Sequence, residues 1–469
     1  MQLDEQLQEK ITSAGQAHLL KYWDTLSDAE QKRYSGQLAG VDFEALPALV
    51  ENYVLNRPKI AIPDDLAPAK YYPDRPVDAE QAELYRQAEA EGEKLICVGK
   101  VACLTVAGGQ GTRLGFDGPK GTYPIGPLSG RSLFSYFAGG IKRNEEKYQV
   151  KILWFIMTSL LNHEATVKFF AENHYFGLSK DQVSFFTQGT MPAIGYDGKL
   201  LMSSFGSLAL SPDGHGGTLL ALRKSGALER MEKAGVEYIS YFQVDNPLVP
   251  VLSPRFVGLH KLTGSQMSAV MLAKTNSQEK LGNFCVSRNR LQIIEYSDLP
   301  AELAEKRLPD GSLAYIAGSP AIHIIDRKFV EALTAGGKLQ LPWHRADKKI
   351  PCIDAEGNQV APDSPNGVKL ESFIFDALPL AERTMVLECV RAEVFAPTKN
   401  ATGVDSAESC REMLIARDLR RLRAAGVEVG EGAKVEIAPA LAVDDADVAD
   451  LVKVRKITAI PAGAQLVIE

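Results

Sequence analysis

Residues Val98–Gly121, VGKVACLTVAGGQGTRLGFDGPKG, indicate the fold class of this chain. Their first nine residues, Val98–Val106, form a largely apolar run that is typical of a strand buried on both faces of a sheet. The glycine-rich segment Val106–Gly121 follows, and its backbone can approach a ligand closely and turn amide groups toward phosphates. Ligands of open α/β sheets bind beside the loops that follow the carboxyl ends of strands. The stretch therefore predicts a buried strand followed by a phosphate-binding loop.

Further apolar runs of strand length alternate with helical patterns downstream. Strands are predicted at Val150–Thr158, Val183–Thr187 and Tyr238–Val244, and helices at Asn162–Glu172 and Thr218–Ala234. Residues 266–330 mix short strands with turns. This order predicts an α/β fold with a Rossmann-like, mostly parallel mixed sheet that is covered by helices on both faces.

The segments on either side of this core differ from it in pattern. Residues 1–95 are predicted to form a helical region with a proline-rich strap, and the S-x-x-E pattern of Ser27–Glu30 predicts a capping box there. Residues 96–404 are predicted to form the catalytic domain. Residues 405–469 are predicted to form a small α+β subdomain that begins with a basic helix.

Composition excludes several classes of partner. The chain has 469 residues, of which 45% are hydrophobic and 24% charged, with a formal net charge of −7. Nucleic acids and membrane surfaces favour a basic footprint, which this balance does not provide. The amino terminus has no apolar signal-like segment, and no run approaches 18 apolar residues. We expect a cytoplasmic protein, and the sequence leaves its oligomeric state open.

The six cysteines do not form a metal or disulfide pattern. None belongs to a CxxC pair, and they are scattered through apolar contexts. Such spacing favours reduced, buried thiols over a zinc site or a disulfide framework. The residues are Cys97, Cys103, Cys285, Cys352, Cys389 and Cys410.

The glycine-rich loop does not match the common nucleotide signatures. It lacks the GxxxxGK[ST] pattern, and Leu114 stands where a Rossmann fingerprint has its third glycine. The longer run G-G-x-G-T-R-L-G followed by P-K resembles the signature of UTP-dependent nucleotide-sugar pyrophosphorylases. Within that family it is most similar to the UDP-N-acetylglucosamine pyrophosphorylases.

The resemblance extends over roughly 300 residues, with matching stretches in the same order. These are Phe185–Met202, Leu210–Gly217, Phe242–Val249, Glu295–Ser297, Lys348–Pro351, Pro365–Asp376 and Phe395–Ala401. The family has a nucleotide-diphospho-sugar transferase fold, similar to that of GT-A enzymes, with flanking terminal segments. The resemblance implies that the chain transfers a uridylyl group from UTP to a sugar 1-phosphate and releases pyrophosphate.

The resemblance also implies a set of UTP-binding residues. Gln188 and Gly214 would contact the uracil, and Asp245 would hold a Mg²⁺ ion. Asp-Asn-Pro at this point is also good turn chemistry, so a structural role for Asp245 stays open. The positions implied for the UTP phosphates are Ala107, Gly108, Gly109, Arg113, Lys120 and Lys369, of which Arg113 and Lys120 would be catalytic.

A second set would bind the sugar 1-phosphate. Lys399 would face its phosphate and act in catalysis. The other implied positions are His215, Glu295, Tyr296, Ser319, Phe373 and Phe375. For Phe373 and Phe375 the alternative role of ordinary core aromatics stays open.

The chain departs from the family pattern at His215 and in the segment Ser319–Ile322, where Ile322 stands in place of a second asparagine. His215 replaces an asparagine, a change expected to add pH dependence. Ser319 replaces a sugar-contacting asparagine, and Pro320 after it lacks a backbone donor.

Three alternatives follow from these observations. The Ser319–Pro320 departure keeps glucose 1-phosphate or another hexose 1-phosphate open as the acceptor. A GT-A-type glycosyltransferase would carry a DxD metal motif, but the core has V-D-N. The DxD of Asp445–Asp447 lies in an acidic segment that we expect to form a solvated turn. A non-catalytic nucleotide-sugar sensor is the third alternative, which the retained cations disfavour.

Overall fold

The structure is a computed structural model that describes residues 3–57 and 62–469. These residues form fourteen α-helices, together with short 3₁₀ and π segments. The helices are α1 (Glu5–Ser13), α2 (Asp28–Ala39), α3 (Leu46–Leu49), α4 (Ala79–Cys97), α5 (Leu133–Tyr148), α6 (His163–Glu172), α7 (Thr218–Lys224), α8 (Ala227–Lys233), α9 (Pro254–Leu262), α10 (Ala301–Ala304), α11 (Arg327–Leu333), α12 (Arg391–Val394), α13 (Ala407–Ala424) and α14 (Asp445–Arg455). Among these described helices, none combines the length and the hydropathy that a membrane span requires.

The same residues form twenty-four strands, many of them short. The strands are β1 (Ala67–Pro68), β2 (Val101–Val106), β3 (Trp154–Thr158), β4 (Val183–Thr187), β5 (Thr190–Pro192), β6 (Ile194–Gly195), β7 (Met202–Ser204), β8 (Ser207–Leu208), β9 (Leu210–Pro212), β10 (Tyr238–Gln243), β11 (Met267–Ala273), β12 (Gly282–Ser287), β13 (Arg290–Ile294), β14 (Ala317–Ser319), β15 (His323–Asp326), β16 (His344–Lys348), β17 (Cys352–Ile353), β18 (Gln359–Val360), β19 (Gly367–Glu371), β20 (Thr384–Glu388), β21 (Glu428–Val429), β22 (Lys434–Ile437), β23 (Ala459–Ile460) and β24 (Gln465–Ile468).

The chain divides into two compact units that are discontinuous in sequence. The first unit comprises Met1–Ala61, Gln188–Thr218 and Gln340–Ile374. The second comprises Ile62–Thr187, Leu219–Leu339 and Phe375–Glu469. The three-part division at residues 95 and 404 stays a prediction.

The second unit is built on an eleven-stranded sheet. Its main path runs β1-β12-β14-β11-β15-β10-β2-β3-β4, with β13 beside β12 and β20 beside β11. Strands β10, β2, β3 and β4 pair in parallel, whereas β15 is antiparallel to both β10 and β11. The α/β fold with a mixed sheet is confirmed. The run of parallel neighbours carries the glycine-rich loop. In the other half β20 is parallel to β11, and short connections allow the remaining strands to pair antiparallel.

The observed elements follow the predicted ones with shifted boundaries. Strand β2 starts three residues later than predicted, because Lys100 donates its N–H to the Leu95 carbonyl and closes the end of α4. The helix predicted from Thr218 is interrupted at Gly226, which has a φ of +76°. The capping box of Ser27 and Glu30 is confirmed at the start of α2.

The first unit combines the amino-terminal helices with small sheets. The largest of these is the three-stranded sheet β16-β19-β6. Its residues Ile194, Val368 and Leu370 are buried with Leu38 and Trp23 of the helical segment in one apolar cluster. Burial of this apolar surface is the main source of stability for so mixed a set of elements.

The carboxyl-terminal segment of the second unit has an apolar cluster of its own. Strands β21 and β23 pair in parallel, as do β22 and β24, and Leu422, Val435 and Val448 are buried between these strands and the helices α13 and α14. The carboxylate of Glu436 is buried and accepts hydrogen bonds from the Ser129 amide (2.8 Å) and the Tyr136 hydroxyl (2.8 Å). These bonds fasten the segment to the start of α5.

Helices α4 and α9 of the second unit approach each other closely at two glycines. A Cβ atom on Gly258 would lie 1.7 Å from the Ala88 carbonyl oxygen, and one on Gly92 would lie 1.9 Å from the Pro254 carbonyl oxygen. Because both obstacles are backbone atoms, a side chain at either position would force the helices apart.

We predict that Gly258→Ala lowers the free energy of unfolding by about 1–3 kcal/mol, the usual cost of overpacking. Gly36→Ala is the matched control, since Gly36 lies in α2 and a Cβ atom there would meet no atom within 4 Å. That exchange should be neutral or stabilise by up to about 1 kcal/mol. Urea denaturation of both variants tests this, and equal effects would contradict it.

Candidate active site

Parallel pairing in the second unit brings two candidate segments to one sheet edge. Val106 at the end of β2 stands opposite Gln243 at the end of β10, and the Val244 N–H donates to the Val106 carbonyl (3.0 Å). The glycine-rich loop therefore leaves the sheet beside Asp245. Both lie at the carboxyl ends of parallel strands, where ligands of such sheets bind.

The glycine-rich loop is held by its own backbone and by one side chain. The Lys120 N–H donates to the Gly109 carbonyl (3.1 Å). Asn162, which precedes α6, donates its side-chain amide to the carbonyls of Ala107 (2.9 Å) and Gly109 (3.1 Å). A Cβ atom on Gly109 would meet nothing within 4 Å, so the space beside this residue is open. This geometry suits a loop that receives a ligand.

Lys120 and Asp245 form an ion pair at this edge. The Lys120 Nζ lies 3.3 Å from Asp245 Oδ2, and both side chains are largely buried. Burial alone would raise the pKa of the Asp245 carboxyl, but the ammonium groups of Lys120 and Lys399 outweigh it. The net pKa lies below its ordinary value, so the carboxylate is ionised at neutral pH.

Lys399 reaches the same place from a later segment. The Thr398 N–H donates to the Asp245 carbonyl (2.8 Å). Asn246 fixes the approach, because its side chain donates to the Val394 carbonyl (2.7 Å) and accepts from the Ala396 N–H (2.9 Å). The structure thus brings together Lys120, Asp245 and Lys399.

Arg113 takes no part in this cluster. It lies on the 3₁₀ turn of Thr112–Leu114 and is exposed. Within the described residues its guanidinium makes no hydrogen bond or ion pair. Its assignment to the UTP phosphates stays a prediction.

The first unit holds another group of candidates around Gly214. The Ser372 N–H donates to the Asp213 carbonyl (2.8 Å), and the Gly216 N–H donates to the Ser372 carbonyl (2.8 Å). Gly214 has a φ of +86°, and a Cβ atom there would lie 2.3 Å from the Ser372 carbonyl oxygen. Only glycine fits this junction.

The remaining uridine candidates of the first unit differ in exposure. Gln188 is buried, directly after β4. Lys369 is partly exposed on β19, opposite Ala346 of β16. Their contacts with UTP stay predictions.

His215 packs in an aromatic group that the sequence did not indicate. Its ring lies 5.2 Å from that of Phe373 at an interplanar angle of 12°, and the His344 ring lies 4.1 Å from Phe373 at 24°. The Ile374 N–H donates to His215 Nδ1 (3.2 Å). Phe373 is therefore flanked by two imidazoles, and Nδ1 of His215 acts as an acceptor.

This environment changes the expectation for His215. Burial and then the nearby His344 lower the pKa of His215 to about 4. The ring is consequently neutral throughout the physiological range, so the pH dependence expected from a histidine at this position falls in the acid range. Burial disfavours the charged imidazolium, and the sequence motif alone does not show that this ring is buried.

The sugar candidates of the second unit lie around Gly282. Gly282 stands opposite Ser319, since β12 and β14 are paired. A Cβ atom on Gly282 would lie 3.3 Å from Glu295 Oε1, so the glycine leaves room for this carboxylate. Ser319 Oγ accepts from the Ala321 N–H (3.4 Å), and Ala321 has a φ of +57°.

Two other sugar candidates are placed differently. Tyr296 is exposed, and Phe375 is buried with an exposed fraction of 7%. The placement of Phe375 suits a core aromatic as well as a pocket wall.

A buried lysine near Gly282 was not indicated by the sequence. Lys274 donates to Asn283 Oδ1 (2.7 Å), and Asn283 donates to the Ile294 carbonyl (3.2 Å). Burial lowers the pKa of Lys274. No motif marked Lys274, Asn162 or His344, because their roles depend on contacts that are distant in sequence.

Binding of a metal ion would depend on the carboxylates and other ligand side chains that lie close together. Within residues 3–57 and 62–469, no group of three or more His, Cys, Asp or Glu side chains is arranged to hold a metal ion. The ionised carboxylate of Asp245 fits a Mg²⁺ ion that takes its other ligands from phosphates and waters.

The DxD of the carboxyl-terminal segment is not a solvated turn, and that expectation is wrong. Asp445 begins α14, and Asp447 is buried. Asp447 accepts from Arg143 (2.8 Å) and from the Val443 N–H (3.0 Å). The pairing with Arg143 explains why Asp447 is buried although Asp445 stays exposed.

The cysteines are unpaired, as the sequence predicts. All six are free, and Cys103, Cys285, Cys352 and Cys410 are buried. Cys97 is exposed, because it lies at the end of α4.

The glycine-rich loop and the charged cluster at one edge of this sheet define a nucleotidyltransferase-like site. A family model described as UTP–glucose-1-phosphate uridylyltransferase (UDPGP) matches residues 65–454. The chain belongs to this family.

Relatives and a solved structure extend the comparison. UDP-N-acetylhexosamine pyrophosphorylase-like protein 1 of Homo sapiens is 36% identical over 439 residues, which cover 91% of this chain and 87% of the relative. UDP-N-acetylglucosamine diphosphorylase 2 of Arabidopsis thaliana is 35% identical over 440 residues, covering 90% and 85%. The inhibitor-bound crystal structure of uridine diphosphate N-acetylglucosamine pyrophosphorylase from Trypanosoma brucei is similar with a TM-score of 0.82, at 25% identity and 98% coverage of each chain.

We predict that His215 makes stability depend on acid pH. Its folded pKa of about 4 lies below the ordinary value of 6.5, so the unfolded chain binds a proton first as the pH falls. The contribution is present above pH 6.5 and is lost toward pH 4. Between pH 7 and pH 5, wild type should lose about 1–2 kcal/mol more unfolding free energy than His215→Asn in urea denaturation. Equal losses would contradict the assignment.

Proposed function

We propose that this chain transfers the uridylyl group of UTP to N-acetylglucosamine 1-phosphate, forming the UDP-sugar and releasing pyrophosphate. The observation that carries the proposal is the cluster of Lys120, Asp245 and Lys399 beside the glycine-rich loop. Membership of a uridylyltransferase family supports the reaction type. The names of relatives at 35–36% identity support an N-acetylhexosamine acceptor.

The reaction is an in-line displacement at the α-phosphorus of UTP. A phosphate oxygen of the sugar 1-phosphate attacks, and pyrophosphate leaves on the opposite side. Because the attacking group is already an anion, the protein needs no strong general base. Its task is to bring two polyanions together and to offset the charge that builds up between them.

The cations of this chain suit that task. We assign Lys120 and Arg113 to the UTP phosphates, together with the backbone of Ala107, Gly108 and Gly109. Lys399 is assigned to the phosphate of the acceptor. A divalent cation held by Asp245, which we propose to be Mg²⁺, would add further neutralisation at the phosphate oxygens.

Binding of the uracil and of the sugar is assigned to separate groups. Gln188 and Gly214 are proposed to contact the uracil, and Lys369 the UTP phosphates. For the acceptor sugar we propose Glu295 and Ser319. His215, Tyr296, Phe373 and Phe375 are proposed as further contacts. A cytoplasmic location stays a prediction.

A second candidate acceptor is glucose 1-phosphate or another hexose 1-phosphate. The observation that favours it is the Ser319–Ala321 segment, where a short hydroxyl and a proline stand before a residue with positive φ. Serine reaches less far than the asparagine of the family pattern. A glycosyltransferase or a sensor finds less support, because the chain keeps V-D-N and the lysines of the cluster.

We predict that Lys120→Ala and Asp245→Asn each reduce kcat by about 10²-fold or more, since charge stabilisation at the transferred group is lost. Release of pyrophosphate from UTP and N-acetylglucosamine 1-phosphate measures kcat. Lys100→Ala is the matched control, because Lys100 pairs with Glu237 (2.8 Å) at the opposite ends of the same two strands. The control should stay within twofold of wild type. Wild-type rates for either site variant would contradict its role.

We also predict that Ser319→Asn shifts the preference among sugar 1-phosphates toward N-acetylglucosamine 1-phosphate, because the amide restores a longer hydrogen-bonding side chain. The ratio of kcat/KM for N-acetylglucosamine 1-phosphate and glucose 1-phosphate measures this. The KM for UTP should stay unchanged. An unaltered ratio would remove Ser319 from the account of specificity.

A further inference from the structure

Residues 399–406, KNATGVDS, form a tight loop that carries Lys399 at its start. Asp405 closes this loop with its main chain, since its carbonyl accepts from the N–H groups of Lys399 (2.7 Å) and Asn400 (3.0 Å). The Asn400 side chain donates to the Val404 carbonyl (2.7 Å). The position of Lys399 therefore depends directly on Asp405.

Asp405 adopts a backbone conformation that few side chains favour. Its φ is +58°, in the left-handed region, where aspartate and asparagine are tolerated better than most residues. Strained or sparsely populated conformations of this kind concentrate at functional sites. The backbone conformation alone therefore limits which residue types fit at position 405.

The carboxylate of Asp405 has no local partner of its own. It is partly buried, and within the described residues it makes no hydrogen bond and no ion pair. Burial raises the pKa of this carboxyl above its ordinary value; Lys399 and Arg391 oppose that rise, and Asp245 and Glu279 add to it. A partly buried carboxylate without a bonded partner costs free energy, so a role in the charged cluster is the simplest reason for its presence.

In the part of the chain that the structure describes, the Arg391 guanidinium has bonded partners and the Lys399 ammonium has none. Arg391 is bonded to Glu279 (2.6 Å) and donates to the Ala273 carbonyl (3.3 Å). Lys399 makes no hydrogen bond through its ammonium within the described residues, and its Nζ lies 6.0 Å from the centre of the Phe395 ring. Asp245 is the competing carboxylate, because Lys399 acts on it as well.

We propose that Asp405 is a positioning residue for Lys399, an inference that rests on the proposed function. Its carbonyl fixes the backbone of Lys399, and its carboxylate draws the ammonium away from Asp245. Asp245 then stays available to Lys120 and to a divalent cation, and the Lys399 ammonium stays available to the acceptor phosphate. Without the charge at 405, the ammonium moves toward Asp245 and leaves its productive position.

The test uses Asp405→Asn in the full chain. Asparagine retains the shape and the tolerance of positive φ, so only the charge is removed. We expect kcat to fall by about tenfold, because small displacements of a catalytic cation are costly. The KM for UTP should remain within twofold of wild type. Val404→Ala, at an exposed position of the same loop, should change neither value.

A double-mutant cycle with Lys399→Met decides whether Asp405 acts through Lys399. In the Lys399→Met background, Asp405→Asn should change kcat by less than about twofold, because the group that it positions is gone. A full additive loss would overturn the inference and point to a direct role, such as binding the cation. Wild-type kcat in Asp405→Asn would overturn it as well. A wild-type chain without turnover would instead reject the proposed function, and this inference with it.

Discussion

The parallel pairing of β2 with β10 is the constraint on which the site of the second unit depends. Its register sets Val106 opposite Gln243, and the residues that follow both strands leave the sheet at the same edge. A shift of one residue would move each side chain to the opposite face. Both faces of the two strands are buried, and such a shift would break the buried hydrogen bonds of Thr105 with Trp154 (2.8 Å) and of Ser240 with the Val251 carbonyl (2.8 Å).

The chemistry at the carboxyl ends of β2 and β10 depends on oppositely charged side chains that lie close together in a partly buried site. Asp245 would be costly to bury alone, and Lys120 and Lys399 compensate for it by keeping its pKa low. The same two cations would otherwise repel each other. The carboxylate of Asp245 and the two lysines that offset its charge therefore make a stable resting arrangement. Asn162 and Asn246 hold the segments that carry these charges, so the site is pre-organised by neutral hydrogen bonds.

Sequence patterns identified the fold class and the principal charged residues. They did not identify the contacts that position those residues. The strand–loop unit at Val98–Gly121 was identifiable because apolar runs and glycines are local signals. Lys120 and Asp245 could be chosen from motifs, whereas their 3.3 Å approach follows from strand register. The antiparallel half of the sheet was harder to foresee, since strands as short as β14 carry little periodicity.

Burial produced the clearest differences from expectation. His215 was expected to add pH dependence, and its packing beside Phe373 and His344 moves that dependence into the acid range by keeping the ring neutral near pH 7. Asp447 was expected in solvent and instead pairs with Arg143. In both cases the deciding neighbour is more than one hundred residues away in sequence, which no local pattern can indicate.

We propose that this edge of the sheet supports transfer of a uridylyl group to a sugar phosphate rather than hydrolysis of UTP. Phosphorus NMR of the chain with UTP, Mg²⁺ and N-acetylglucosamine 1-phosphate tests it most directly. We expect paired diphosphate signals of a UDP-sugar that grow together with pyrophosphate, and no reaction when the sugar phosphate is left out. Formation of UMP or UDP without a sugar nucleotide, or unchanged UTP with every sugar 1-phosphate, would contradict it.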